Sequence, residues 1–403
     1  MIFSHSIAKL KGVVQHYSWG GFEFIPELLE KSNDDNKPWA EYWLGAHPNH
    51  SSVLQNTKEL SLADVLETAA ADVLGVQVAE KFSSLPYLLK VLDVRQMLSI
   101  QVHPSRQSAQ KGYEEEERKG ISIKAPNRNY KDRNHKPELM VALGEFWLLH
   151  GFKPEHELIA TLSSTPELGF LGDVFRSSGY KGLYETVMLM EAGEVNTILA
   201  PLVERVVPLY ETQQLPKSSP DFWAARAAIN FCSPEKYDRG IFSIYLFNLL
   251  RLEQGEGVYQ PQGMPHAYLE GQNIEIMANS DNVLRAGLTD KHIDVPELMK
   301  HVDFAPTFPR PIRPSGNKVH TVYASPAEEF ELHRYQLQSG EEIALSTYTA
   351  DILLVTEGSL RASDGTDWLE AAKGEALLAK AGTDLKIKAN GRLSLFRATV
   401  PQG

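Results

Sequence analysis

A single cysteine, Cys232, stands among 403 residues. Neither a disulfide framework nor a cysteine metal cluster can be built within one chain, which fits a reducing compartment. Positive charge is scarce too: 40 Lys and Arg against 52 Asp and Glu give a formal net charge of -12. Nucleic-acid binders normally carry the opposite excess, so that class is excluded. The same deficit sets a condition, because any anionic substrate must meet cations gathered locally. Long hydrophobic runs are also missing. The most apolar stretch, Ile241 to Leu252, is interrupted by Ser243, Asn248 and Arg251 and is too short to span a bilayer. The opening MIFSHSIAKLKG lacks the apolar core and small-residue cleavage site of a signal peptide. The expectation is a cytoplasmic protein, a monomer, with no nucleic-acid or membrane partner.

What is present is ordinary globular composition, 42% hydrophobic and 23% charged, in a chain long enough for two or three domains. Three zones differ in texture. Residues 1–150 carry short apolar runs such as LPYLLKVL (85–92), MLSIQVHP (97–104) and PELMVALG (137–144), broken by Gly, Pro and Asn, which read as strands. One helix is expected from Ser61 to Gly75. From 151 to 237 the period shifts toward 3.6, over Glu155 to Leu162, Gly182 to Glu194 and Val195 to Thr212, with Pro216 and Pro220 marking a break. Strands are expected again from about 240. A proline-rich link, FAPTFPRPIRP (304–314), then leads to short strands and turns in the pattern of a second β-barrel or sandwich.

Three segments carry chemistry. In MLSIQVHP, strand alternation turns Leu98, Ile100 and Val102 toward a core and Ser99, Gln101 and His103 the other way. Gln and His two apart offer two adjacent donors to a metal from one rigid strand. In YKDRNHKPELMVAL (130–143), Pro137 fixes the chain just before Glu138 and brings that carboxylate to a strand start. Asp132, His135, Lys136 and Glu138 make this segment rich in titratable groups. In YQPQGMPHAYLEGQNIEIMANSDNVLRAGLTDK (259–291), Gly263 and Pro265 set a tight entry to His266. Ile274 and Ile276 then share one strand face, and Asn273, Glu275 and Met277 the other. Without cysteines, His103, Glu138 and His266 form a hard donor set suited to zinc, and iron or manganese would accept it as well.

At these residues the chain resembles the type I phosphomannose isomerases. The family signature Y-x-D-x-N-H-K-P-E stands complete at Tyr130 to Glu138. A second signature runs from H-A-Y through E-x-M-A-x-S-D-N to R-A-G-x-T-P-K, and here spans His266 to Lys291 with one departure, Asp290 in place of proline. QHYSWG (15–20), AEYWLGAHP (40–48) and LPYLLKVLDVRQMLSIQVHP (85–104) extend the likeness, which weakens in the helical zone and the last barrel. The resemblance implies a mainly β fold: a cupin-like jelly-roll catalytic domain (1–150 plus 238–313), an α-helical insertion (151–237) and a second, C-terminal jelly-roll (314–403). It implies one zinc ion per chain held by Gln101, His103, Glu138 and His266, and Arg285 as an active-site residue.

The family interconverts mannose 6-phosphate and fructose 6-phosphate by moving a proton between C1 and C2. Arg285 stays protonated and is assigned to charge stabilisation or substrate clamping. His135, Lys136, Glu275, Asp281 and Lys291 are candidate bases; Lys136 and Asp281 are favoured as proton handlers, with His135 kept among the catalytic residues. Ser99 and Lys90 are expected to contact the phosphate, and Trp19, Tyr268, Glu275 and Lys291 to contact substrate. The polar segment 111–132, lying between two ligand-bearing strands, is expected to serve as a flap. Two other readings use the same fold: a sugar-phosphate sensor, which should lack the charged cluster 281–291, and a metal-dependent oxygenase, which would need iron.

Overall fold

The apolar run at 87–94 becomes a fully buried strand, Tyr87–Val94, in the computed structural model, which describes residues 5–55, 59–233, 236–314, 319–366 and 368–402. Residues 1–4 of the N-terminal stretch and 315–318, just past the expected boundary at 314, lie outside that description. Alternate residues of Tyr87–Val94 serve two interiors. Tyr87, Leu89 and Val91 enter an apolar core, whereas Leu88 and Lys90 line a cavity on the opposite face. The strand lies between Glu41–His47 and His266–Ala278 in an antiparallel sheet of eleven strands.

His266–Ala278 changes partners along its length. At Gly271 φ is +125°, and a Cβ there would lie 2.6 Å from the Glu145 carbonyl oxygen, so only glycine suits the bend. Before it the strand pairs with Phe146–Phe152; after it, with Tyr87–Val94 on one side and Glu138–Ala142 on the other. One strand thus delivers His266 at its start and Glu275 near its end.

A second sheet of eight strands is built mostly from the C-terminal part, but Ile7–Lys11 inserts between Ala376–Ala379 and Val53–Gln55. Ala8 and Leu10 are buried in the core that also takes Ile352, Leu378 and Phe396. The expected division into 1–150 and 314–403 is therefore crossed by this sheet, because the first strand satisfies its backbone on the C-terminal side. Four further strands close the C-terminal unit. The link 304–314 packs back on the larger sheet, with Thr307 N–H donating to Phe152 O (2.8 Å) and Ile312 N–H to Gly257 O (2.7 Å).

The helix expected at Ser61 to Gly75 is found as Leu62–Leu74, with the Ser61 hydroxyl accepting from Asp64 N–H and Gly75 at its end. In the helical zone the long helices are Phe170–Leu189 and Ala192–Glu211. Their junction falls at Met190 and Glu191, both in extended backbone, rather than at 194–195. Met190 and Val195 are both buried, so the apolar pattern continues through the turn and hides it. Ser219 caps Pro220–Phe231, whose first position is proline. The return to strands at 240 is also corrected: Gly240–Leu246 is a helix, and Phe247–Leu252 is the strand after it. Every residue of that helix is buried, which erases the one-sided period that marks surface helices.

Among the described residues no single helix is long and apolar enough to cross a membrane. The two long helices meet at 101°, and Leu183, Val187, Leu199 and Val206 pack into a core with Ile100, Val102, Leu149 and Leu269 of the large sheet. The helical zone therefore backs the strands that carry the candidate ligands.

Candidate active site

Cross-strand register assembles the site, since residues directly opposite each other share a sheet face. Trp43 stands opposite Lys90, and Lys90 opposite Glu275. In a second row Arg285 stands opposite Gln101, and Gln101 opposite His266. Glu138 lies opposite Met277, beside the first row.

One donor atom from each of His103, Glu138 and His266 lies within 4.8 Å of the others, and all three residues are buried. Glu138 Oε2 is 3.1 Å from His266 Nε2 and 3.4 Å from His103 Nε2. A backbone carbonyl orients each ring: His103 Nδ1–H donates to Asn282 O and His266 Nδ1–H to Met264 O, both at 2.9 Å. That choice of tautomer leaves the Nε2 lone pairs facing the same point. His103 Nε2 is buried without a hydrogen-bond partner, a costly arrangement unless that point is filled. Burial also lowers the His103 pKa to about 4, so the ring is neutral, as a metal ligand must be. Burial opposes ionisation of Glu138, but the Lys136 ammonium at 2.6 Å together with the contacts from His103 and His266 outweighs it and holds the carboxyl well below its usual range. Two imidazoles and one carboxylate fit a zinc ion. The Gln101 side chain lines the space beside them.

A cavity of about 390 Å³ opens next to these ligands, and a smaller one of about 50 Å³ reaches Glu138 and His266. Trp19, Ser99, Asp281, Arg285 and Lys291 line the larger; Tyr268 and Glu275 line the smaller. Lys90, Gln101 and Lys136 line both.

The cations are not equivalent. Lys90 Nζ lies 3.4 Å from Glu41 Oε2, 3.3 Å from Glu275 Oε2 and 4.9 Å from the Trp43 ring centroid. Burial works against its charge, yet Glu41 and Glu275 raise its pKa far above the usual lysine value. Lys90 is thus already neutralised twice over, and an incoming phosphate would meet a net negative trio. The expected Lys90–phosphate contact would have to compete with these two carboxylates. Arg285 and Lys291, in contrast, have no side-chain hydrogen bond or ion pair among the described residues. Burial lowers the pKa of both; the Arg285 charge lowers Lys291 further, and the neighbouring Asp290 carboxylate partly offsets this.

Burial raises the Glu275 pKa, and the Tyr268 hydroxyl donates to that carboxylate at 2.9 Å. Asp281 differs: burial pushes its pKa up, but the His47 contact at 3.2 Å and the charges of His47, Lys136 and Lys90 bring it below the usual value. It is an ionised acceptor at the cavity wall.

Three expectations need correction here. His135 lines neither cavity. Its Nε2 lies 2.8 Å from Glu329 Oε1, beside Arg106, in a separate cleft against the C-terminal unit. The neighbours His135 and Lys136 face different clefts, so His135 cannot reach a sugar carbon in the site. Leu98 does not join Ile100 and Val102 in the helical-side core; it precedes the strand Ile100–Val102 and lines both cavities. The segment 111–132 lines neither cavity and is pinned. Buried Arg128 pairs with Glu116 and Glu117 at 2.8 Å, and Glu116 accepts from the Asn129 and Tyr130 N–H groups at 2.9 Å.

Trp43, His47 and Asn282 escaped the sequence reading as contributors. Asn282 accepts from Lys131 N–H (2.7 Å) and donates to Asn134 O (2.7 Å), so it binds the two signature loops together beneath His103. Its place in the S-D-N triplet of the second signature was the available signal.

Residues 7–155 match the family model described as phosphomannose isomerase type I, catalytic domain. The chain is 36% identical over 395 residues to the mannose-6-phosphate isomerase of Escherichia coli (strain K12), covering 96% of this chain and 98% of that one. It is 31% identical over 425 residues to the mannose-6-phosphate isomerase of Homo sapiens, covering 96% and 97%. Its fold is similar to that of mannose 6-phosphate isomerase from Salmonella typhimurium bound to fructose 6-phosphate and zinc. The TM-score is 0.88 at 32% identity, covering 99% of this chain and all of that one.

Proposed function

Because the chain belongs to the type I phosphomannose isomerase family, we infer that it is a zinc-dependent aldose–ketose isomerase interconverting mannose 6-phosphate and fructose 6-phosphate. The observation that carries this reading in the molecule itself is the convergence of His103, Glu138 and His266 beside a cavity walled by cations. The two β units are read as cupin-like jelly rolls, the enzyme as a cytoplasmic monomer acting in carbohydrate metabolism.

Gln101, His103, Glu138 and His266 are proposed to hold the zinc. When bound there, zinc polarises and orients sugar oxygens. The remaining roles are proposed from charge and position. Arg285 and Lys291 receive the phosphate, since they are the cavity cations without carboxylate partners, and Ser99 adds a hydroxyl donor. With the phosphate held there, C1 and C2 reach inward toward Lys136. Lys136, acting as the neutral amine, takes the proton from one carbon and returns it to the other while the hydroxyl proton passes between O2 and O1, and ionised Asp281 takes the O1 hydroxyl proton and returns it to the ring oxygen as the ring opens. Glu275, whose carboxyl burial keeps high, and Tyr268 hold a sugar hydroxyl on the inner side. Trp19 closes the rim by stacking with Tyr17, the ring centroids 5.9 Å apart. Placing a charge-stabilising donor such as Arg285 typically accounts for about 100-fold or more in rate.

A coupled assay with mannose 6-phosphate tests the function: activity must vanish on chelation and return with zinc, and full activity in metal-free protein sinks the reading. Lys136→Met tests the proton assignment. The variant should keep its zinc yet lose exchange of the C2 proton with solvent; exchange at the wild-type rate rules Lys136 out.

A further inference from the structure

Lys291 does not hold itself in the cavity wall; the end of the helical zone does this for it. Asp238 lies just ahead of the buried helix Gly240–Leu246 and spends its carboxylate on three backbone N–H groups. Oδ1 accepts from Gly240 (2.7 Å) and Leu288 (2.8 Å), and Oδ2 accepts from Thr289 (3.1 Å). Two of these three donors belong to the loop between Arg285 and Lys291. The Thr289 hydroxyl then accepts from the Lys291 N–H at 3.1 Å, which carries the tether to the lysine itself.

The loop needs such a tether. Leu288, a buried non-glycine residue, sits at φ +54°, a left-handed conformation that costs energy for a side chain with γ-branching and persists only when its surroundings impose it. The approach of the two segments is also unusually close. A Cβ on Gly287 would lie 2.4 Å from Gly240 Cα, and one on Gly240 would lie 2.6 Å from Leu288 N. Both glycines are required for Asp238 to reach the loop. Thr289, Asp290 and Lys291 form the partition between the catalytic cavity and a second cavity of about 550 Å³ that Asp238 and Arg239 help to line.

We propose that Asp238 is a positioning residue: by fixing Leu288 and Thr289 it sets Lys291 where the substrate phosphate binds. This rests on the proposed phosphate role of Lys291. It also accounts for the tolerance of Asp290 at a position where the family signature has proline. The loop is shaped by the Asp238 carboxylate from outside, so a rigid ring at 290 is not needed to hold it.

Asp238→Asn keeps one acceptor oxygen but turns an N–H₂ group on a backbone N–H that now lacks a partner. In the zinc-loaded enzyme it should raise KM for mannose 6-phosphate about tenfold and leave kcat within about threefold, the signature of lost ground-state binding. The inhibition constant of inorganic phosphate should rise by the same factor. Thr289→Val, which leaves the Asp238 bonds in place and removes the acceptor for Lys291 N–H, should shift both constants in the same direction. In a Lys291→Gln background, Asp238→Asn should add nothing to KM, because coupled residues do not act additively. A lower melting temperature with unchanged KM and phosphate inhibition in both variants overturns the proposal, as does an equal KM increase with and without Lys291. Wild-type phosphate inhibition in Lys291→Gln alone would instead remove the phosphate reading on which it rests.

Discussion

Replacing Lys90 by methionine would leave Glu41 and Glu275 facing each other in a buried wall with no cation between them. The three residues are 3–7% exposed, so water does little to screen the pair. Removing one partner from a buried ionic cluster typically costs about 3–5 kcal/mol. The protein has an escape, which is to protonate Glu275, whose carboxyl burial already raises. Relative to an unfolded glutamate of pKa about 4.3, that proton costs ~3.7 kcal/mol at about pH 7 and only ~1.6 kcal/mol at about pH 5.5. A carboxyl raised on folding destabilises only above its unfolded pKa, so the penalty must shrink as pH falls toward that value. Urea unfolding of wild type and Lys90→Met, both saturated with zinc, should therefore differ by up to ~4 kcal/mol near pH 7 and by less than half of that near pH 5.5. Adding Glu275→Gln should recover most of the loss and flatten its pH dependence. An equal destabilisation at both pH values would refute the reasoning, since the cost would then be one of packing and not of uncompensated charge.

His135→Ala should leave kcat and C2 proton exchange within about threefold of wild type while lowering stability by about 1–3 kcal/mol, because Glu329, 1% exposed, loses a hydrogen-bond partner and retains Arg106. A collapse of proton exchange with normal stability would restore His135 to the chemistry. In the C-terminal unit, burial raises the Asp351 pKa from 3.8 to about 6 even though Arg397 lies 2.6 Å away. That group should withdraw ~3 kcal/mol of stability as pH climbs between those two values. Asp351→Asn should remove this slope from a plot of melting temperature against pH, and an unaltered slope would exclude Asp351 as its source.

The proposed metal ligands were legible because each occupies a local context that the chain spells out contiguously: a Gln-x-His strand, a proline before Glu138, a glycine–proline entry to His266. The resemblance then joined three contexts that spacing alone left separate. What stayed hidden depends on register. Lys90 reads as one more strand lysine until Glu41–His47 and His266–Ala278 pair on either side and bring Glu41 and Glu275 within 3.4 Å. His135 and Lys136 differ by one residue yet face different clefts, which the density of titratable groups around them could not resolve. Gly240–Leu246 was misread because burial on every side removes the period that distinguishes helix from strand. Ile7–Lys11 was assigned by position in the chain, whereas one of its two partner strands is more than 360 residues away.

The charge distribution argues for one orientation of the sugar phosphate. With a net charge of -12 the protein as a whole repels a phosphate dianion, so binding must depend on cations with charge to spare. Lys90 and Lys136 have none: each is held against carboxylates at 3.4 Å or less. Arg285 and Lys291 do, and both line the large cavity without lining the small one. The small cavity, at about 50 Å³ against about 390 Å³ for the large one, is walled by Glu138 and Glu275. Its smaller volume suits a hydroxyl or carbonyl end better than a phosphate. On the proposed phosphate contacts, the substrate would enter with its phosphate outermost and C1 and C2 directed at the ligand cluster. On that proposal, the cations that bind substrate and the cations that shape the catalytic wall are different residues, separated by whether a carboxylate is already paired with their charge.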